Sequence, residues 1–317
     1  MKKLLFVFLL LFLLFISTII YNQENIMKPT TRVLQAYHYD WLEHPLEHGM
    51  KIKKYVSKNE TPYLLVSQNS SKGLSKRQRL LAQQLGDLKP KAHKGILVLL
   101  HGKNGRKEDL LPVAERYVSL GFSCILIDLP HHGESKVESV YYGTKKYEQQ
   151  YVDEVLDDVS KYISIDEPLY MWGMSLGGAF AITNVAHSKH KFKAMVLVAT
   201  FDRLDVVLKR KSVSIFGGLF GELLYHGLEK SLALFYGFHP SHANSVKIAE
   251  TITIPLYMVH GKKDKLISYQ QGKKLFEAFA SKEKEFYLDV EGDHHNILVT
   301  GHEFYKESGL FLLGERE

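Results

Sequence analysis

The chain has 317 residues, of which 45% are hydrophobic and 24% charged, so it is long enough to bury a large core and its composition excludes an intrinsically disordered protein. Its net charge of +6 comes from lysines scattered along the chain, without a basic stripe that interleaves with aromatic residues, and nucleic acid is therefore not a predicted partner. The only cysteine, Cys124, lies in an apolar run, which predicts a buried thiol. The composition does not indicate an oligomeric state.

The N-terminal segment is a predicted membrane anchor. Two lysines precede Leu4–Ile20, which is apolar apart from one serine and one threonine. At about 1.5 Å per residue this run just crosses a hydrocarbon core of about 30 Å, and no Ala-x-Ala-like cleavage site follows it. The positive-inside tendency places the N-terminus in the cytoplasm. We therefore predict a signal anchor over residues 1–22 with the folded domain on the non-cytoplasmic, periplasmic or extracellular, side. Secretion after signal cleavage is the alternative.

A polar stalk over residues 23–49 leads into a single predicted domain over residues 50–317. Met50–Val56 and Thr61–Val66 predict two strands of an antiparallel edge. Further along, continuous apolar runs alternate with segments of helical spacing, and this alternation predicts a parallel sheet with helices on both faces. The predicted buried strands are Gly95–Leu100, Cys124–Leu129, Leu169–Met174, Ala194–Ala199, Pro255–Val259 and Glu285–Val290. The predicted helices include Lys76–Leu85, Glu108–Leu120, Tyr147–Ile163, Tyr269–Phe279 and a last helix after Asn296.

A Gly-x-Ser-x-Gly turn provides the candidate nucleophile. Gly173-Met-Ser-Leu-Gly177 joins a buried strand to an Ala-rich helical stretch. A serine at such a sharp strand-to-helix turn has a strained backbone, and a side chain at either glycine would collide with the flanking elements. This pattern predicts Ser175 as the nucleophile. The pentapeptide alone also fits an ordinary glycine-rich turn, so the interpretation depends on the rest of the chain.

Four further segments, two before and two after the serine turn, occur in a recognisable order along the chain. They are His101-Gly102 after a central strand, Asp128-Leu-Pro-His-His-Gly-Glu-Ser135, His260-Gly-Lys-Lys-Asp264 and Gly292-Asp-His-His295. With the serine turn, they make the chain from about Met50 onward resemble the α/β-hydrolase superfamily, in its serine-hydrolase branch of monoacylglycerol-lipase-like and serine-aminopeptidase-like proteins. The resemblance implies the α/β-hydrolase fold, with a mostly parallel central sheet. Where the family more usually has Arg-Gly-His-Gly, this chain has Pro130-His-His-Gly133, a departure that touches no catalytic role.

The resemblance also implies a catalytic triad. A serine hydroxyl becomes a good nucleophile when a neutral imidazole accepts its proton, and a carboxylate holds that imidazole in one tautomer. In the order of the family these residues are Ser175, Asp264 and His295. Asp202, just beyond the preceding strand, is the alternative acid. Counting three residues from the glycine of the last loop selects His295 over the adjacent His294, which is the alternative base.

The resemblance assigns stabilisation of the oxyanion to the backbone N–H groups of Lys103 and Leu176. The histidines at positions 101, 131 and 132 are predicted to order their loops, since no ligand spacing with a carboxylate partner accompanies them. No metal and no cofactor is predicted.

Strand–helix alternation breaks after Thr200, and residues 201–250 carry three apolar patches. We predict a helical cap inserted before the penultimate strand. Its Ile215, Phe216, Leu219 and Phe220 are predicted to line or cover an acyl-binding pocket above the nucleophile, the alternative being that they only pack the cap onto the body.

These features predict a serine hydrolase of carboxylic esters, with a small-molecule acyl ester, lipid-like or small, as substrate. Thioester hydrolysis, peptide hydrolysis and acyl transfer proceed through the same acyl-enzyme and remain open alternatives. A non-catalytic binding protein on the same fold is the alternative from another class, because a fold does not imply activity.

Overall fold

The computed structural model describes residues 2–69, 71–85, 93–300 and 302–315. Within this part of the chain, eight strands form one sheet. The strands are β1 (Met50–Val56), β2 (Pro62–Gln68), β3 (Gly95–Leu100), β4 (Phe122–Ile127), β5 (Leu169–Met174), β6 (Phe192–Val198), β7 (Leu256–Gly261) and β8 (Lys284–Asp289). Their order across the sheet is β1-β2-β4-β3-β5-β6-β7-β8. Strands β1 and β2 are antiparallel to their neighbours, and β3 to β8 are mutually parallel, which confirms the predicted fold class.

Helices connect the strands and cover both faces of the sheet. They are α1 (Lys2–Met27), α2 (Ala36–Glu43), α3 (Lys76–Gln84), α4 (Leu111–Ser119), α5 (Lys146–Gln149), α6 (Tyr151–Val159), α7 (Leu176–His187), α8 (Leu204–Phe216), α9 (Gly218–Tyr236), α10 (Ser245–Ala249), α11 (Tyr269–Ala278), α12 (Ile297–Thr300) and α13 (His302–Leu313). Short 3₁₀ helices occupy Pro45–His48, Lys107–Leu110 and Pro240–His242.

The central strands are buried on both faces, as their continuous apolarity predicts. In β3, Ile96, Val98 and Leu100 belong to one apolar cluster with residues of α6, α7 and α11. The alternating Leu97 and Leu99 belong to a second cluster with residues of α3, α4 and α13 on the opposite face. A strand with period-two side chains and an apolar residue at every position packs against helices on both sides. Cys124 of β4 is fully buried, as predicted.

One predicted helix, Tyr147–Ile163, is instead two helices, α5 and α6. The backbone N–H of Val152 does not bond to the carbonyl of Glu148, which would be its partner in a continuous helix. Instead Asn184 of α7 intervenes, because its Oδ1 accepts from the Val152 N–H at 2.9 Å while its Nδ2 donates to the Glu148 carbonyl at 2.9 Å. A side chain inserted into the helical hydrogen-bond ladder breaks the helix at that point.

The N-terminal helix α1 continues through the predicted boundary between residues 22 and 23. Its first part is exposed and apolar, and by length and composition it could cross a membrane. Its last turns belong to the domain, because Ile19, Gln23 and Ile26 are buried there. The carbonyl of Met27 also accepts a hydrogen bond from the N–H of Val140 at 2.8 Å. The segment predicted as an anchor and the domain are therefore joined by one continuous helix.

Helices α8, α9 and α10 lie between β6 and β7, in the place predicted for the cap. Gly217, with a φ of 78°, makes the sharp turn between α8 and α9. At Gly221 a Cβ atom would clash with the backbone of Val213, so the glycine permits a close crossing of these two helices.

Candidate active site

Ser175 stands at the turn between β5 and α7, with a φ of 54° and a ψ of −114°. A non-glycine residue in this region is strained by about 1–3 kcal/mol, and such strain persists where the surroundings enforce it. Here a Cβ at Gly173 would collide with the carbonyl of Gly177, and one at Gly177 would collide with the carbonyl of Leu100. The backbone N–H of Ser175 bonds to the carbonyl of Val198 at 2.8 Å. These contacts hold the serine at the carboxyl edge of the sheet, as its motif predicts.

His294 connects Ser175 to Asp264. Its Nε2 lies 3.1 Å from the Oγ of Ser175, and its Nδ1 lies 2.7 Å from the Oδ2 of Asp264. Because an ionised carboxylate only accepts hydrogen bonds, the proton of the neutral ring resides on Nδ1. Nε2 is then free to accept the proton of the serine hydroxyl. This arrangement can deliver a general-base-activated alkoxide to a bound carbonyl carbon.

The prediction of His295 as the base is therefore wrong by one residue, because the histidine in contact with Ser175 is His294. The physical reason lies in the turn after β8. The carboxylate of Asp293 accepts from the backbone N–H groups of His295 at 2.8 Å and Asn296 at 2.9 Å. Asn296 in turn accepts from the N–H of Asp293 through its Oδ1 at 2.6 Å. These local bonds start the turn one residue earlier than the motif count assumes, so His295 is exposed and His294 is buried.

Asp264 is held as a carboxylate. Its Oδ1 accepts from the backbone N–H groups of Leu266 at 2.9 Å and Ile267 at 2.8 Å. Burial alone would raise its pKa, but hydrogen bonds from His260, His294 and the loop amides outweigh burial and hold that pKa well below its usual range. An ionised carboxylate at this place keeps the His294 proton on Nδ1.

The alternative acid, Asp202, does not contact His294. Its Oδ1 accepts from Gln271 Nε2 at 2.9 Å and from the backbone N–H of Arg203 at 2.7 Å. Its Oδ2 lies 3.7 Å from the ammonium of Lys274. Asp202 therefore joins the cap to α11, while Asp264 is the acid that faces the histidine.

The segment after β3 passes close to the nucleophile. A Cβ placed on Gly102 would lie 3.6 Å from the Cβ of Ser175, so the backbone of this loop approaches the serine directly. Lys103 and Leu176 line the same pocket as Ser175. Leu176 is the first residue of α7, where a backbone N–H has no acceptor within the helix. Both residues thus lie in the pocket that contains Ser175, and the oxyanion role of their backbone amides stays a prediction.

His101 orders this loop. Its Nε2 accepts from the backbone N–H of Leu129 at 3.1 Å, which places its proton on Nδ1, and Nδ1 donates to the Gly102 carbonyl at 2.8 Å. Burial lowers the pKa of His101, so the ring is neutral and ties the loop after β3 to the loop after β4.

A pocket leads from the cap to Ser175. Ile215 and Phe216 line it, as predicted. Leu219 and Phe220 do not, because they stand at the exposed end of the α8–α9 hairpin with 81% and 70% of their surface accessible. The other apolar lining residues come mostly from the cap and α1, and include Ile26, Leu204, Val207, Leu208, Leu224 and Leu228.

Two groups of residues that line the pocket were not predicted from the sequence. Asn22, Asn25 and Ile26 bring α1 to the pocket, although the sequence assigns this segment only to an anchor and a stalk. Lys211, on α8, also lines the pocket. No local pattern reveals either, because both depend on how the cap packs against α1.

The parallel sheet, the strained serine turn and the serine–histidine–aspartate contacts define an α/β hydrolase. A family model described as serine aminopeptidase, S33, matches residues 91–231 and 229–299. The chain therefore belongs to this family of serine hydrolases within the α/β-hydrolase superfamily.

Solved structures with the same fold include an esterase from Pyrococcus furiosus, with a TM-score of 0.63 and 16% identity over 90% of this chain and 97% of that one. A putative lipase from Acinetobacter baumannii AYE is similar at a TM-score of 0.55 and 17% identity, over 90% of this chain and 98% of that one. A monoacylglycerol lipase from Paleococcus ferrophilus matches at 0.51 and 18%, over 71% and 96% of the respective chains. At these identities the likeness concerns the fold.

Proposed function

We propose that this hydrolase cleaves carboxylic esters with an apolar acyl chain, with Ser175 as nucleophile, His294 as base and Asp264 as the acid that orients the base. The observation that carries the proposal is the continuous hydrogen-bonded connection from Asp264 through His294 to Ser175, at the inner end of a predominantly apolar pocket.

The reaction follows from the positions of these groups. Ser175 Oγ attacks the ester carbonyl carbon while its proton moves to His294 Nε2, and the imidazolium that forms is stabilised by Asp264. The negative charge on the carbonyl oxygen is bound by the backbone N–H groups of Lys103 and Leu176, each worth about 10²–10³ in rate. His294 then protonates the leaving alcohol, and a water activated by the same ring hydrolyses the acyl-enzyme.

An ester substrate is favoured over a peptide that is cleaved at its free N-terminus. An aminopeptidase must bind a substrate ammonium group, which calls for a carboxylate near the nucleophile. Among the described residues that line the pocket there is no aspartate or glutamate, whereas Lys103 and Lys211 both line it. These lysines would repel an ammonium group.

We also propose that α1 anchors the enzyme in a membrane, with the catalytic domain on the non-cytoplasmic side. Helices α1 and α9 pack side by side in parallel, since Ile19 lies beside Gly227 and Tyr236 donates to Glu24 at 2.5 Å. The start of α9, with the exposed Leu219 and Phe220, therefore extends along the apolar part of α1. An apolar surface continuous with the anchor suits a lipid-like substrate that reaches the pocket from the bilayer.

Covalent labelling tests the catalytic proposal. The full-length protein in detergent should react with a fluorophosphonate probe at Ser175 and should hydrolyse p-nitrophenyl esters. Ser175→Ala should abolish both activities while circular dichroism stays unchanged. Full ester turnover by the folded variant would refute the hydrolase mechanism.

Fractionation tests the anchor. The full-length chain should remain with membranes through a high-salt wash and should require detergent for release. If the mature chain instead begins beyond Ile20 and is released without detergent, the segment is a cleaved signal and the anchor proposal is wrong.

A further inference from the structure

The pocket that leads to Ser175 contains two cationic side chains without a counter-charge. The half-buried Lys103 and the exposed Lys211 both line it, and in the part of the chain that the structure describes neither ammonium group has an ion-pair or hydrogen-bond partner. Lys107 differs from them in this respect, because it is fully buried but bonds to Asp128 at 2.7 Å and to Glu134 at 2.8 Å.

The position of Lys103 is costly for a cation. Burial, followed by the nearby charge of Lys211, lowers the pKa of Lys103 to about 8. A desolvated ammonium group without a partner destabilises the empty protein. The oxyanion role of this residue does not require a lysine, because it uses the backbone N–H. A bound anion would supply the missing counter-charge.

Three other polar side chains of the lining already donate to backbone carbonyls. The side-chain amide of Asn22 donates to the carbonyl of Thr18 at 2.8 Å, and that of Asn25 donates to the carbonyl of Tyr21 at 2.8 Å. The hydroxyl of Tyr142 donates to the carbonyl of Ile26 at 2.9 Å. The two ammonium groups are therefore the strongest donors left for a polar part of the substrate.

We propose that Lys103 and Lys211 form an anion site beside the nucleophile, and that the preferred substrates are apolar acyl esters that also carry a phosphate or carboxylate group near the scissile bond. This proposal rests on the proposed esterase function and names its substrate class. The anion could belong to the alcohol part of the ester, as in an acylglycerol phosphate, or to the acyl part, as in a half-ester of a dicarboxylic acid.

Two matched substrate pairs distinguish these sources. The first pair is octanoylglycerol and octanoylglycerol phosphate, which differ on the alcohol side. The second is p-nitrophenyl pentanoate and mono-p-nitrophenyl glutarate, which have acyl chains of equal length. For the full-length enzyme in neutral detergent, the ratio of kcat/KM for the anionic ester to that for the neutral ester should exceed about tenfold in at least one pair. The pair that shows it identifies the side that carries the anion.

Removal of the charges should remove the preference. Lys211→Met and Lys103→Met keep the side-chain length, and each should lower the ratio about fivefold or more, with the double variant near unity. Lys230→Met is the matched control, because Lys230 is an exposed lysine of the cap outside the pocket lining. Its ratio should equal that of the unmodified enzyme.

The pH dependence adds a readout that packing changes would not produce. Deprotonation of Lys103 as pH rises through about 8 removes one of the two charges, so the ratio should fall between pH 7 and pH 9.5. In Lys103→Met this fall should disappear. Added salt should also reduce the ratio, since the mouth of the pocket is open to solvent.

Each outcome decides the proposal. A ratio near or below unity in both pairs, with neutral esters still hydrolysed, would overturn the anion site and leave the esterase function intact. A tenfold ratio that persists in the double variant would also overturn it, because the preference would then have another origin. Failure to hydrolyse any of the four esters would instead refute the proposed function itself.

Discussion

The assignment of the base to His294 rather than His295 gives a sharp prediction, because the two adjacent residues are both histidines but lie in different surroundings. We expect His294→Ala to lower kcat for a p-nitrophenyl ester by at least about 10³, and His295→Ala to lower it by less than about tenfold. The second variant is the matched control for the first. Both substitutions remove one imidazole from the same loop.

The magnitude follows from the contacts. His294→Ala deletes the 3.1 Å contact to Ser175 and the 2.7 Å contact to Asp264, so no base remains to take the serine proton. A loss of 10³ corresponds to about 4 kcal/mol of transition-state stabilisation. The side chain of His295 contributes neither contact, and the bond from its backbone N–H to Asp293 survives substitution by alanine. Its loss should therefore stay below about 1.4 kcal/mol.

The assay is steady-state hydrolysis by full-length protein in detergent, with circular dichroism and thermal unfolding as controls for the fold. Asp264 keeps the N–H donors of Leu266 and Ile267 in the His294→Ala variant, so the loop should remain ordered. The reverse ranking of the two folded variants would refute the assignment. Equal losses would also refute it, because the loop would then act as one structural unit.

Four further substitutions test other parts of the structure. Phe216→Ala should shift the preference among p-nitrophenyl esters of different chain length, because Phe216 lines the pocket, whereas Phe220→Ala should leave the order of preference unchanged. Lys107→Met should lower the free energy of unfolding by about 3–5 kcal/mol in a denaturant titration, since the buried carboxylate of Asp128 loses its ion pair. Asn184→Leu should cost about 1–3 kcal/mol in the same titration, because two buried backbone groups at the α5–α6 break lose their partners. An unchanged chain-length preference in Phe216→Ala, a changed one in Phe220→Ala, or an unchanged free energy of unfolding in Lys107→Met or Asn184→Leu would each contradict the corresponding expectation.

The amino-acid sequence by itself determined the strands of the sheet and the identity of the serine turn. Both are local. A run such as Gly95–Leu100 is apolar at every position because both of its faces are buried, and that property is visible without knowing which helices cover it. The glycines around Ser175 are visible in the sequence as a short motif, although only the backbone that excludes a Cβ at Gly173 belongs to the turn itself, and the one that excludes a Cβ at Gly177 belongs to Leu100 of β3. The predicted acid, Asp264, follows the end of β7 closely, and this place in the chain made it predictable before its contact with His294 was known.

The tertiary structure decided which histidine reaches the serine and what lines the pocket. His294 and His295 are indistinguishable by pattern, and the choice depends on the hydrogen bonds of Asp293, which set the start of a turn. The break between α5 and α6 depends on a side chain from α7, distant in the sequence. Lys211 and the last turns of α1 reach the pocket only through the packing of the cap, and Phe220 is excluded from it for the same reason. Such contacts join segments far apart in the chain, so no local periodicity or motif records them.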